Sequence, residues 1–219
     1  MPVNGIGLLA HRGARVTSPE NTLEAISRAR DAGADGIEFD VRLSADREPF
    51  LFHDEDGLRV TGVRGPVSRL PWRELRRRLA FGRHAIPHLE EVLGAMESWK
   101  EGELFLDFHQ DSTELAEITA RRVAVSPARD RCYLLAFYSD RALLSAAAAA
   151  APGVRLAVMP GPPWRTDAAC RIGATALCLG WDGKLTGWLY RAASRFYDVR
   201  AAVLRARERG VRVSAGIAD

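Results

Sequence analysis

Glu38 and Asp40 stand two residues apart in the run Gly36-Ile37-Glu38-Phe39-Asp40-Val41. Successive side chains of a strand point to opposite faces, so both carboxylates share one face while Ile37, Phe39 and Val41 share the other. Like charges at that spacing repel, and a strand that carries them is either exposed to water or built around a cation. The apolar face packs the strand and aims the carboxylates into a cavity; a half-exposed strand with polar residues outward gives the same pattern. Ser44-Ala45-Asp46-Arg47 then turns the chain into a second apolar run, 49–53. Antiparallel arms about Asp46-Arg47 set His53 roughly opposite Asp40, with Asp54 beside the imidazole to orient it. His11 closes Leu8-Leu9-Ala10 and is followed by Arg12; Asp107 ends Leu104-Phe105-Leu106, and His109 shares its face.

Glu38, Asp40 and Asp107 form a cysteine-free oxygen set, which suits a divalent metal ion such as Mg²⁺, Ca²⁺ or Mn²⁺ better than Zn²⁺. His11 and His53 lie outside that set and exchange a proton near neutral pH, as an acid and a base must. Cation, arginine, base and acid together match the needs of a phosphodiester. The metal and Arg12 offset charge on the non-bridging oxygens, one histidine deprotonates the nucleophile, and the other protonates the leaving alkoxide.

These residues need elements to hold them. Apolar runs at 7–11, 36–41, 49–53, 104–106, 132–137, 154–158, 176–179 and 211–213 read as strands. Helical patterning lies between most of them, at 21–32, from 89 onward, and at 113–124, 140–151 and 195–209, with a less regular stretch at 165–172. Asn21 followed by Glu24 is a capping pattern, and Gly33 ends that helix. Residues 55–86, rich in glycine and proline, read as a loop-like segment with one short helix near 72–79. Strands separated by helices imply parallel pairing with right-handed crossovers. About seven such units favour an α/β, TIM (β/α)8-type barrel over a doubly wound sheet, with the site residues at the C-terminal ends of the strands.

The chain has 219 residues, 47% hydrophobic and 27% charged, as in soluble globular proteins. Disordered, collagen-like and disulfide-scaffold classes are excluded, and the sequence reads as one domain, 1–219, with 55–86 as an insertion. No apolar stretch approaches the roughly 20 residues of a membrane span. Nor does the N-terminus show a secretory pattern, so a cytoplasmic location is expected. The net charge is +3, and only Lys100 and Lys184 among the 31 cations are lysines. The arginines are scattered over helix faces with no nucleic-acid motif around them, so no nucleic-acid partner is expected. Cys132, Cys170 and Cys178 lack metal-site spacing and read as buried reduced thiols.

The motifs His11-Arg12-Gly13, Pro19-Glu20-Asn21-Thr22, Gly33-Ala34-Asp35, Ile37-Glu38-Phe39-Asp40-Val41, His53-Asp54, Leu58, Thr61-Gly62, Gly65 and Ile86-Pro87-His88-Leu89-Glu90-Glu91 together resemble the glycerophosphodiester phosphodiesterase family. They cover nearly the whole first half in the family's order. The resemblance implies a TIM barrel that hydrolyses glycerophosphodiesters to an alcohol and glycerol 3-phosphate, a small-molecule phosphodiester as partner, and a Mg²⁺ or Ca²⁺ cofactor. It implies His11 and His53 as acid and base, Arg12 as the phosphate clamp, and Glu38 and Asp40 as metal ligands. Glu20 and Asn21 would be supporting residues, although Asn21 reads equally well as a helix cap. The insertion would shape substrate choice, with Trp72 and Phe81 as apolar contacts.

Three departures bear on this expectation. The family's Glu-x-Lys motif is Asp107-Phe108-His109 here, with Asp107 as the third ligand and His109 in place of a permanent cation. A Trp-Thr-x-Asn pattern after the last strand is replaced by Ser214-Ala215-Gly216-Ile217. The family's final helix and strand have no counterpart before Asp219, so the barrel is expected to lack its last strand. That gap is closed by rearrangement, filled by a partner as in a homodimer through the open edge, or marks a truncated relative. The departures leave room for a lysophospholipase D-like activity, or for a catalytically decayed barrel acting as a binding protein.

Overall fold

In a computed structural model the described residues are 7–179, 187–188 and 191–217. The chain runs through β1 (Gly7–His11), α1 (Leu23–Asp31), β2 (Gly36–Leu43), β3 (Pro49–Leu51), α2 (Leu58–Thr61), α3 (Trp72–Leu75), β4 (Leu79–Ala80), β5 (His84–Ala85) and α4 (Leu89–Glu97). It continues through β6 (Glu103–Phe108), α5 (Thr113–Ala124), β7 (Cys132–Phe137), α6 (Arg141–Ala150), β8 (Arg155–Met159), α7 (Thr166–Ala169), β9 (Ala176–Leu179), α8 (Val199–Glu208) and β10 (Arg212–Ile217).

Seven parallel strands pair in the order β1-β10-β9-β8-β7-β6-β2, and β1 pairs with β2 to close the ring. The barrel therefore has one strand fewer than eight, as expected, but the expected open edge is corrected. Gly7 lies opposite Ser214 and Leu9 opposite both Gly216 and Gly36, so β1 spends both edges on neighbours. The gap is closed by rearrangement: among the described residues each of the seven strands pairs with a neighbour on both sides.

Alternation along the strands sorts the core into layers. Ile37, Phe39, Val41, Leu104 and Leu106 point outward and pack with Ala25, Ile26, Val92 and Leu115 from the surrounding helices. Leu9, Phe105, Tyr133, Leu135, Ala157, Ala176 and Cys178 fill the interior, with Phe105 and Tyr133 stacked at 4.5 Å. Burial of that kind is the main stabilising term, about 25 cal/mol per Å² of apolar surface. Above this floor the same strands present polar residues.

The 44–48 turn is one residue longer than a hairpin centred on Asp46-Arg47, because Arg47 takes a left-handed φ of 66°. Leu43 therefore pairs with Pro49 and Val41 with Leu51, and the amide of Phe52, not His53, donates to the Asp40 carbonyl. β3 occupies the edge of β2 beyond the point where β1 ends, which frees the chain after His11 to turn over the barrel.

Residues 55–86 are more ordered than a loop. They hold α2, α3 and the β4-β5 hairpin around a core of their own, Val60, Val67, Leu75, Ala80 and Ile86 packed on Phe50 and Phe52. Trp72 lies between Phe50 at 6.2 Å and His88 at 4.9 Å, and Phe81 is exposed. Cys132 and Cys178 are buried, and burial pushes the Cys132 thiol up to about 12. No described helix is long and apolar enough to cross a membrane.

His88 joins β3, α4 and α5 through carboxylates. It contacts Glu90 and, at 3.2 Å, Glu48, and Arg122 reaches both acids. Burial alone would lower the His88 pKa, but Glu90 and then Glu48 outweigh it and raise the value above that of free histidine. A raised folded-state pKa adds stability fully present below the unfolded value and lost as pH rises through the folded one. His88→Ala should therefore lower the melting temperature most below pH 6, with the gap to wild type narrowing on the alkaline side. A gap independent of pH in thermal scans would show that the imidazolium contributes nothing.

Candidate active site

At the C-terminal ends of β1, β2 and β6 the register places His11 opposite Glu38 and Asp40 opposite Asp107. Glu38, Asp40 and Asp107 are all buried, and each offers an oxygen within 4.8 Å of the others. His11 Nε2 lies 3.8 Å from Glu38. Asp40, His53 and His109 form a second such group that shares Asp40 with the first. His53 thus reaches the acidic pair although the hairpin register is one residue away from that expected.

His109 shares a face with Asp107, as expected. Its Nδ1 is 3.4 Å from Asp40 and 4.0 Å from Asp107, and its ring lies against that of His53, tilted by 34° with centroids 4.1 Å apart. Burial outweighs the pull of Asp40 and lowers its pKa to about 4, so the imidazole is neutral at pH 7. No permanent cation stands at this position.

The turn after β1 carries the arginine. Gly13 has φ 80°, and a Cβ there would lie 2.4 Å from that of Ala25, so only glycine lets the turn press on α1. Arg12 itself is left-handed at φ 54°. Its amide donates to Glu38 at 3.0 Å, and its buried guanidinium meets Asp40 at 3.3 Å and Glu20 at 3.4 Å. A non-glycine residue in that conformation is held by its surroundings; here three carboxylates do the holding.

Asn21 is not the helix cap. Thr22 caps α1, its hydroxyl accepting from Ala25. Asn21, also left-handed at φ 54°, spends both ends of its amide on Asp40, donating to Oδ2 at 2.7 Å and accepting from the Asp40 amide at 3.1 Å. It fixes one oxygen of Asp40, the task an outer-shell partner would have if Asp40 held a metal.

Asp54 accepts from His53 Nδ1 at 2.7 Å, which leaves Nε2 to the site. Two contributors had no signal in the sequence. Arg42 donates twice to the His53 carbonyl, at 2.9 and 2.7 Å. Arg59, from α2, donates to both oxygens of Asp54 at 2.7 and 2.8 Å and to both of Glu20 at 2.6 and 3.2 Å. Arg59 and His53 hold the Asp54 carboxyl down to about 2 against a smaller opposing effect of burial. Burial would raise Glu20, and Arg59 overcomes it.

The acidic trio fits a divalent cation. Burial raises the Glu38 pKa well above the carboxylate range, reinforced by Asp40 and Asp107, and Glu38 Oε1 is buried without a hydrogen-bond partner among the described residues. Such an atom among like charges is costly unless a cation meets it. Glu38→Gln should therefore raise the melting temperature in chelator, by about 1 kcal/mol or roughly 2–4 °C, while shrinking the rise on adding Mg²⁺. An unchanged Mg²⁺ shift in differential scanning fluorimetry would remove Glu38 from the ligand set.

Residues 11–215 match the model of the glycerophosphoryl diester phosphodiesterase family. Over 93 residues the chain is 42% identical to a glycerophosphodiester phosphodiesterase of Bacillus altitudinis, a match that spans 39% of this chain and 38% of that relative. Among solved structures, a glycerophosphodiester phosphodiesterase from Thermotoga maritima superposes with a TM-score of 0.72 at 24% identity, over 98% of this chain and 86% of that one. A phosphodiesterase of Oleispira antarctica, in complex with the product sn-glycerol-3-phosphate, superposes with a TM-score of 0.71 at 20% identity, over 96% and 92% of the two chains. At these identities the superpositions establish the barrel fold.

Proposed function

The chain belongs to the glycerophosphoryl diester phosphodiesterase family, and we propose that it hydrolyses glycerophosphodiesters to an alcohol and glycerol 3-phosphate by acid–base catalysis between His11 and His53. The observation that carries this reading is the single mouth shared by the two side-chain groups: the acidic trio and the His53–His109 pair meet at Asp40, with His11 against Glu38.

Glu38, Asp40 and Asp107 would hold the divalent cation, Mg²⁺ or Ca²⁺, which would supply positive charge to offset that of the phosphodiester. Arg12 adds a fixed guanidinium to the same oxygens, held in place by Glu20 and by the Asp40 that Asn21 orients. Asp54 keeps the proton of His53 on Nδ1, so Nε2 exchanges the reacting proton. One imidazole takes a proton from the nucleophile as its oxygen bonds to phosphorus, and the other gives one to the alkoxide as the P–O bond to the alcohol breaks, with one water consumed overall. Neutral His109 packs beside His53 without adding charge.

A lysophospholipid is the second reading, favoured by the surface beside Glu20. There an open groove of about 550 Å³ is lined by Arg15, Val16, Phe81 and Arg83, with Val16 and Phe81 exposed, and it has room for more than a small alcohol. Turnover of glycerophosphocholine and lysophosphatidylcholine, each followed by choline release and the first also by glycerol 3-phosphate formation, separates the two. His11→Ala and His53→Ala should each reduce kcat by at least about a hundredfold, and excess chelator should abolish turnover reversibly. Full activity in chelator would remove the metal, and binding of either ester without product over days would make the barrel a binding protein.

A further inference from the structure

The structure assigns Arg59 as the positioning residue that fixes the separation of His53 and Arg12 across the catalytic mouth, an assignment that rests on the acid–base reading above. Its single planar guanidinium engages two carboxylates at once. Nε and Nη2 grip Asp54 at 2.7 and 2.8 Å, and Nη2 and Nη1 grip Glu20 at 2.6 and 3.2 Å. Each carboxylate in turn holds one working group. Asp54 Oδ1 accepts from His53 Nδ1 at 2.7 Å, and Glu20 Oε1 lies 3.4 Å from Arg12 Nη1.

The chain His53–Asp54–Arg59–Glu20–Arg12 therefore spans from the loop after β3 to the loop after β1, with its central link supplied by the insertion. An exposed ion pair contributes little, but this one is a network whose two acids have only 21% and 11% of their side chains exposed. Bidentate arginine contacts set angles as well as distances. A lysine in the same place carries the charge and cannot hold both carboxylates in one plane. Arg42 already fixes the His53 carbonyl, so Arg59 is left to fix its ring.

The test compares Arg59→Ala and Arg59→Lys with wild type. For a glycerophosphodiester in saturating Mg²⁺, Arg59→Ala should lower kcat about 10- to 100-fold with KM changed less than about threefold. Millimolar guanidinium should restore part of the loss, and Arg59→Lys should stay well below wild type. Wild-type kcat in Arg59→Ala overturns the assignment. So does a loss that follows a collapsed melting temperature and is not recovered by guanidinium, which would make Arg59 a staple of the insertion alone. A second readout needs no turnover: the His53 Nδ1 proton bonded to Asp54, identified in the proton NMR spectrum by its absence from His53→Gln. It should be slowly exchanging in wild type and broadened beyond detection in Arg59→Ala. If wild type hydrolyses none of the diesters, the catalytic reading fails by itself, and an unchanged Nδ1 proton in Arg59→Ala overturns the positioning role independently.

Discussion

Repulsion among Glu38, Asp40 and Asp107 organises the upper half of the barrel. Three buried carboxylates within 4.8 Å of one another cannot all stay ionised in a low-dielectric setting without counter-charge or donors. The surrounding residues divide that task. Arg12 brings its amide to Glu38 and its guanidinium to Asp40, and Asn21 brings both ends of its amide to Asp40. What remains unmet, the second oxygen of Glu38, faces the place a cation would take. Strain is accepted for this purpose: Arg12 and Asn21 are two of the four non-glycine residues with positive φ among those described.

The scaffold below is indifferent to that charge. Leu9, Phe105 and Tyr133 fill the ring beneath the site, and Ile37, Phe39 and Val41 anchor β2 on its outer face. One strand thereby serves packing with its odd positions and chemistry with its even ones. In β6 Leu104 and Leu106 take the outer face, while Phe105 and Asp107 share the inner one, the first in the floor and the second at the mouth.

Features that depend on short-range pattern were legible in the sequence. The alternation at 36–41, the strand ends at His11 and Asp107, and the helix at 113–124 follow from periodicity that neighbours enforce. Residues whose partners are remote were not. The resemblance set Asn21 beside the site, but its local pattern reads equally as a helix cap, and the fold gives the cap to Thr22 and the Asn21 amide to Asp40. Arg59 looks like any exposed helical arginine until Asp54 and Glu20, 39 positions away in the second case, come to either side of it. The hairpin register missed by one because a left-handed Arg47 lengthens the turn, a conformation that residue type does not announce. The ring was expected to stay open because strand counting says how many strands there are and not how far apart the first and last of them stand.

That closure has a kinetic side. Gly7 meets Ser214, so the ring joins the first barrel strand to the last, and loop-closure entropy is spent before the contact returns anything. During synthesis β1 can pair with β2 as soon as both have emerged, but its other edge waits for β10. Until then the nascent barrel presents an unsatisfied ladder of amides and carbonyls, the kind of edge that chaperones shield and neighbouring chains invade. Completing the ring thus depends on the pairing of greatest sequence separation in the barrel, and β1 has both its neighbours only after it.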